Sequence, residues 1–318
     1  MNGIFCISLD FEKYWGIHDV MDFDAYQEQL KKVDTIVDQL CTTFEQHEVQ
    51  ATWAMVGLLL EDKQEDLDCI QIPYEHKNYS PFPLKEELLK RIPLACRSAI
   101  AQVELLKQLP HQEIASHTYS HFYALENGVT IADFELDCQR MKKAGDALNI
   151  DFKSIVFPRN QINPSFLKVA KKYGIESFRG NQESRLWTNS KFTDEKLLKR
   201  GQRFLDAYVK MAVTENFSIQ DLKSTEGVLN IPANRFFKPI GKIKALERKK
   251  LKQIKAEMSA AAQHNTIYHL WWHPHNFGRH TKEHFEQLNE ILNHFNYLKT
   301  KYGFQSLNMK GIKASKNG

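Results

Sequence analysis

No two cysteines lie close enough in the sequence to frame a zinc ribbon or a redox pair. The five present, Cys6, Cys41, Cys69, Cys96 and Cys138, are odd in number and widely spaced, which points to free thiols in a reducing compartment. No apolar run approaches the roughly 18 residues of a membrane span. Met1 leads straight into the first apolar segment, with no basic region, hydrophobic stretch and cleavage site before it. A soluble, cytoplasmic protein without stable membrane insertion is therefore the expectation. Neither sign of charge dominates: 43 basic and 39 acidic residues leave a net charge of +4, and no nucleic-acid partner is called for. The densest charge run, GKIKALERKKLKQIKAEM, spreads Lys and Arg around most of a helical circumference, as a solvated outer helix does. Internal repeats and low-complexity tracts are missing too.

What is present is a regular alternation. Short apolar runs at 3–10, 50–56, 112–116, 153–158, 175–179, 228–232 and 266–273 predict strands, and helical periodicity fills 24–47, 85–108, 130–148, 163–173, 240–262 and 280–301. Repeated strand-then-helix units indicate an α/β fold with a parallel sheet or barrel, whose working groups gather at the carboxyl ends of the strands. With 318 residues and 42% hydrophobic content, one domain over 1–318 is expected. Residues 61–84 and 180–227 break the rhythm and read as insertions over a rim.

Three stretches at predicted strand ends carry chemistry. In SLDFE, alternation puts Asp10 and Glu12 on one face with Ser8, Cys6 and Ile4, so two carboxylates look the same way and need a cation, an arginine or a proton between them. In IASHTYSHFY, His117 and His121 are four apart, and one helical turn would bring both imidazoles together. Two neutral imidazoles and one carboxylate form a three-ligand set for a catalytic divalent ion, which leaves the other acid free to move a proton. In YHLWWHPHNFG, His273 ends a strand just before Pro274 and is the functional candidate, with Trp271 and His275 beside it; His269 lies deeper and reads as a hydrogen-bonded core residue. A fourth stretch, SIVFPRNQIN, offers Arg159 as a partner for an uncoordinated carboxylate.

SLDFE, ATWAMVG, QEIASHTYSHF, VFPRNQ and HLWWHPHN follow the order of the motifs of the polysaccharide deacetylases, the NodB-like homology domain, and the resemblance spans roughly residues 3 to 280. It implies a distorted (β/α) barrel of about seven parallel strands with helices outside. It also implies a metal-dependent hydrolase that takes an N-acyl group from a sugar or oligosaccharide. By resemblance Asp10 is the catalytic base, His117 and His121 are metal ligands, Arg159 orients the base and His273 is the general acid. The family's second aspartate is replaced by Phe11; Glu12, which shares Asp10's face, takes the ligand role. The usual Arg-Pro order is reversed at Pro158-Arg159. For the family's fourth motif, Asp206 and Trp187 are the candidates. The implied cofactor is one divalent ion, zinc first, and Tyr119 is the expected oxyanion donor. Two other readings follow from the departures: hydrolysis of a cyclic ureide or formamide on the same barrel, and a carbohydrate-binding barrel without turnover.

Overall fold

The first strand is buried along its whole length, from Ile4 to Phe11, because both of its faces are covered. Its even residues look into a barrel and its odd residues look out at helices. The structure is a computed structural model describing residues 2–61, 72–76, 79–82, 86–181 and 217–317. Among these, the strands in chain order are β1 Ile4–Phe11, β2 Ala51–Met55, β3 Gln112–Ser116, β4 Ser154–Ile155, β5 Ser177–Gly180, β6 Ser224–Thr225, β7 Val228–Pro232, β8 Arg235–Phe236, β9 Ile267–Trp272 and β10 Gln305–Ser306.

They form one sheet in the order β6-β7-β5-β4-β3-β2-β1-β9-β8, with β10 beside the start of β1. Every pairing is parallel except the short β6–β7 hairpin. The sheet then curls back on itself. From Val228 to Phe236 the chain pairs with β5 through its first half and with β9 through its second. In between, Ala233 N–H donates to the Gly180 carbonyl and Asn234 N–H to that of His269. The expected barrel of parallel strands is what is found, and its strand ends share one rim.

Phe5, Leu9 and Phe11 belong to the large core between strands and helices, whereas Ile4 and Cys6 belong to a smaller cluster with Ala54, Ala115, Val156, Leu229, Ile231 and Ile267. That inner cluster is closed from below by Met309 and Ile312 of the last helix, Met309–Asn317. Each buries a side chain worth about 1.5–3 kcal/mol. The plug is pinned by hydrogen bonds from Met309 N–H to Thr52 Oγ1 (2.9 Å) and from Lys310 N–H to the buried Glu113 carboxylate (2.9 Å). This helix and the two-residue strands β6, β8 and β10 have no counterpart in the sequence expectation, since elements so short leave little periodicity, whereas β4 falls within the strand expected at 153–158.

The outer helices fall where periodicity predicts, with two changes. The 24–47 pattern divides at Lys31-Lys32 into Phe23–Leu30 and Val33–Gln46. The 85–108 pattern breaks into Glu86–Arg91, Leu94–Arg97 and Ile100–Lys107, where Pro93 removes a donor the ladder needs. Helix Ile131–Ala147 starts on a capping box between Thr130 and Asp133. No described helix is long and apolar enough to cross a membrane. Most of both expected insertions, and with them Asp206 and Trp187, lies outside the described residues.

Candidate metal centre and active site

Strand parity carries Ser8, Asp10 and then Glu12 up the inner wall, as the sequence indicates. Beyond Phe11 the chain turns sharply: Lys13 has a positive φ of 43°, and its ammonium is buried against Asp34 and the Ala95 and Ser98 carbonyls. The turn folds Gly16 onto the Glu12 side chain. A Cβ at position 16 would lie 2.0 Å from Glu12 Cδ, so only glycine leaves the carboxylate its place.

His117 and His121 meet as expected, but through a loop instead of a helical turn. Thr118 and His121 both take positive φ, 62° and 58°. The loop is held by Asp137 of helix Ile131–Ala147, whose carboxylate accepts from the Tyr119 and Ser120 backbone N–H groups. Burial pushes Asp137 up to about 7, against the hydrogen bonds from Ser120 and Tyr119. Because Tyr119 spends its N–H on Asp137 and its hydroxyl on Glu61 at 3.3 Å, neither remains as the expected oxyanion donor.

His117 donates from Nδ1 to the Val156 carbonyl (2.8 Å), which leaves the Nε2 lone pair facing Glu12 Oε2 at 3.4 Å. His121 Nε2 lies 3.1 Å from the same oxygen, with its Nδ1 on Tyr123 Oη at 3.2 Å. The ligand atoms of Glu12, His117 and His121 lie within 4.8 Å of one another, and all three residues are buried. Burial pushes His121 down to about 4 despite its hydrogen bond to Glu12, so the ring is a neutral donor at neutral pH. Burial also pushes Glu12 upward, but the charge of His273 and the hydrogen bonds of His117 and His121 outweigh it and hold the carboxyl well below its ordinary value. Two outward-backed imidazoles and one carboxylate converging on one point fit a catalytic divalent cation.

Asp10 corrects the sequence reading. Its partner is Arg179 on β5, which donates from Nη1 to Oδ1 (2.6 Å) and from Nη2 to Oδ2 (2.8 Å). Arg159 turns away instead and pairs with Asp19 at 2.5 Å, its guanidinium over the Tyr123 ring at 3.9 Å. The reason is backbone direction: Arg159 and Asn160 both sit at φ 53° in a tight turn, which swings the arginine off the inner wall. Arg179 has the inward parity of Ser177, and an arginine at that parity near the end of an inner strand was the available signal. Burial raises the Asp10 carboxyl; the Arg179 charge, then His117, the Arg179 hydrogen bonds and His273 outweigh it, and it ends below its ordinary value.

His273 closes the group from β9, the direct neighbour of β1. Its Nε2 is 3.5 Å from Glu12 Oε1 and 3.8 Å from Asp10 Oδ2, and its side chain keeps 22% exposure. The ring stacks on His275 at 5.0 Å, and Nδ1 lies 3.3 Å from Asn276 Oδ1. Beside it an open cleft runs between Asn160, Asn181, Asn234, Arg235, Phe236 and Trp271. His269 is fully buried, as its depth in the strand predicts. Lys13, Thr118, His121, Arg159 and Asn160, all with positive φ, ring this one site.

The polysaccharide deacetylase family pattern matches residues 20–178, half of the chain. That span includes His117 and His121 but not Asp10, Glu12, Arg179 or His273, which tertiary structure brings to them. No curated protein matches the sequence significantly. Among solved structures, a Mycobacterium smegmatis protein described as a polysaccharide deacetylase superposes with a TM-score of 0.59 at 12% identity, covering 100% of this chain and 91% of its own. A GH57-type branching enzyme from Pyrococcus horikoshii gives 0.57 at 13% identity, covering 100% of this chain and 71% of that one. A 4-alpha-glucanotransferase from Thermococcus litoralis gives 0.55 at 12%, covering 98% and 40%. At such identities these likenesses show the fold.

Proposed function

The chain belongs to the polysaccharide deacetylase family, and on that premise we propose that it is a metal-dependent amide hydrolase that removes an N-acetyl group from a sugar or sugar-containing precursor in polysaccharide biosynthesis. One observation carries the reading: a buried carboxylate clamped by Arg179 stands beside an ordered Glu12–His117–His121 set, with a partly exposed histidine facing both. A structural barrel gains nothing from gathering two buried acids and three imidazoles at one mouth.

Glu12, His117 and His121 would hold the ion, and zinc suits two imidazoles with one carboxylate. When bound, the ion acidifies a water and polarises an acyl carbonyl. Asp10, kept ionised by Arg179, takes the proton as the water oxygen bonds to the carbonyl carbon. His273 delivers a proton to the nitrogen as the carbon–nitrogen bond breaks, because an amine does not leave as an anion. Acetate and a free amino sugar result. The cleft between Phe236 and Trp271 adjoins His273, where the sugar side of the amide would sit, and its amide side chains suit hydroxyl groups. The buried free thiols of Cys6, Cys41, Cys96 and Cys138 suit a reducing compartment, and the cytoplasm is the proposed location.

Metal content and acetate release from N-acetylglucosamine oligomers test the reading together. Asp10→Asn should keep the ion and lose the release. A variant as fast as the parent removes Asp10 as base; formate or a ring-opened acid from other substrates would shift the reading to a formamide or cyclic ureide. A parent that binds metal and turns over nothing would be a binding barrel.

A further inference from the structure

Below Asp10 on the inner wall, His269 of β9 is fully enclosed, and its Nε2 lies 2.8 Å from Ser8 Oγ. Ser8 Oγ in turn lies 3.1 Å from Arg179 Nη1. Donor chemistry and the surroundings of the His269 ring together assign the protons. A guanidinium donates and never accepts, so the Ser8 oxygen accepts from Arg179. With the ring proton on Nδ1, on the side of the Ile231 and Pro232 carbonyls, His269 Nε2 presents a lone pair to Ser8, and the single Ser8 proton is directed to it. Burial, reinforced by the Arg179 charge, pushes His269 down to about 3, so the ring is neutral and fills that role. Its remaining proton sits on Nδ1, beside the Ile231 and Pro232 carbonyls but without a well-formed hydrogen bond.

We propose that His269 and Ser8 are positioning residues for the catalytic base: they fix the rotation of the Arg179 guanidinium and, through it, the aim of both Asp10 oxygens. All four Nη protons of Arg179 are then placed. Nη1 serves Ser8 and Asp10, and Nη2 serves Asp10 and Asn160 Oδ1 at 2.9 Å. The guanidinium lies over Trp271, 4.2 Å from the ring, which restrains the tilt of its plane. Among the described residues Arg179 Nε has no hydrogen-bond partner, so none of them holds the group in rotation from the stem side. Among the described residues, Ser8 is the only hydrogen-bond partner of Nη1 other than Asp10 itself, and Ser8 is oriented by His269. A proton relay from Asp10 to His269 is excluded, since the intervening guanidinium offers no acceptor. His269 therefore acts through Arg179 and not on substrate.

The kinetic side of the test rests on the function proposed above; the spectroscopic side does not. In arginine-labelled protein, restricted rotation about the Arg179 carbon–nitrogen bonds gives separate, slowly exchanging Nη proton signals. Ser8→Ala, which alters little volume, and His269→Phe, which removes the acceptor, should each collapse them into averaged signals, and His269→Gln, which restores an acceptor near Nε2, should recover them. In Ser8→Ala and His269→Phe kcat should fall by roughly ten- to a hundredfold, the effect of a lost charge-assisted hydrogen bond, with KM and metal content unchanged, and His269→Gln should recover it. The Ser8→Ala/His269→Phe double variant should be no slower than the worse single one. Parent-like Arg179 signals in Ser8→Ala, or losses that multiply in the double variant, overturn the proposal. If the parent hydrolyses no acylated sugar, the signals still decide this question, and the failure belongs to the proposed function.

Discussion

Replacing Arg179 by methionine leaves the Asp10 carboxylate inside the barrel without either of its strong donors. The pair is closed to solvent, with Asp10 at 4% and Arg179 at 1% exposure, so water cannot substitute for the lost guanidinium. Removing one partner of a buried ion pair costs about 3–5 kcal/mol, most of it the uncompensated charge left behind. Methionine keeps the stacking on Trp271, so packing loss adds little. The sign with pH separates this cause from a packing defect. In the parent the Asp10 carboxyl lies below its ordinary value, so its contribution to stability is present above the unfolded value, about 4, and is lost only as pH falls through the lower folded value. Without Arg179, burial, the largest influence on the carboxyl, is opposed only by the His117 and His273 charges, and the folded value is expected to rise above the unfolded one. The charged form is then a penalty that sets in as pH climbs from about 4 to the new value. Denaturant unfolding of both proteins, stripped of metal by a chelator, should show a gap of about 3–5 kcal/mol at pH 7 that narrows toward pH 4.5. Adding Asp10→Asn to the variant should recover much of the loss. A gap that stays constant with pH, or a double variant no more stable than Arg179→Met, would refute the buried-charge account.

Two further substitutions address the neighbouring groups. Gly16→Ala puts a methyl 2.0 Å from Glu12 Cδ and must displace the carboxylate from His117 and His121; competition against a chelating dye should show metal affinity weakened by roughly 10–100-fold, and parent-like affinity would contradict the ligand role of Glu12. Arg159→Ala breaks a pair with Asp19 and leaves the Asp10 clamp whole, so its kcat should stay within about tenfold of the parent while Arg179→Ala loses a hundredfold or more. Equal losses in the two variants would return Arg159 to the base.

Features that follow from neighbours along the chain were legible in the residues. Alternation alone places Asp10 and Glu12 on one face, puts Glu12 and not Phe11 beside Asp10, and sinks His269 below His273, because a strand's period of two is a property of the backbone. The donor types at His117 and His121, with Glu12, likewise mark a set that could hold a divalent ion. The repeated strand-helix pattern is enough for parallel strands with one working rim.

Which groups meet across the barrel was decided by tertiary structure. Arg159 follows one predicted strand and Arg179 ends another; the choice between them falls to a turn with two positive φ angles that removes the first, and to the inward parity of β5 that delivers the second. His117 and His121 approach through a loop that Asp137 holds from a separate helix, where the sequence suggests a helical turn. Asp10 and His273, at opposite ends of the chain, become neighbours because β1 pairs with β9, with the bent Val228–Phe236 segment carrying the sheet from β5 back to β9. Sequence determines the face on which a side chain stands; the partner it finds there depends on sheet order and on which backbone turns point inward, and those are set by packing the whole chain around one core.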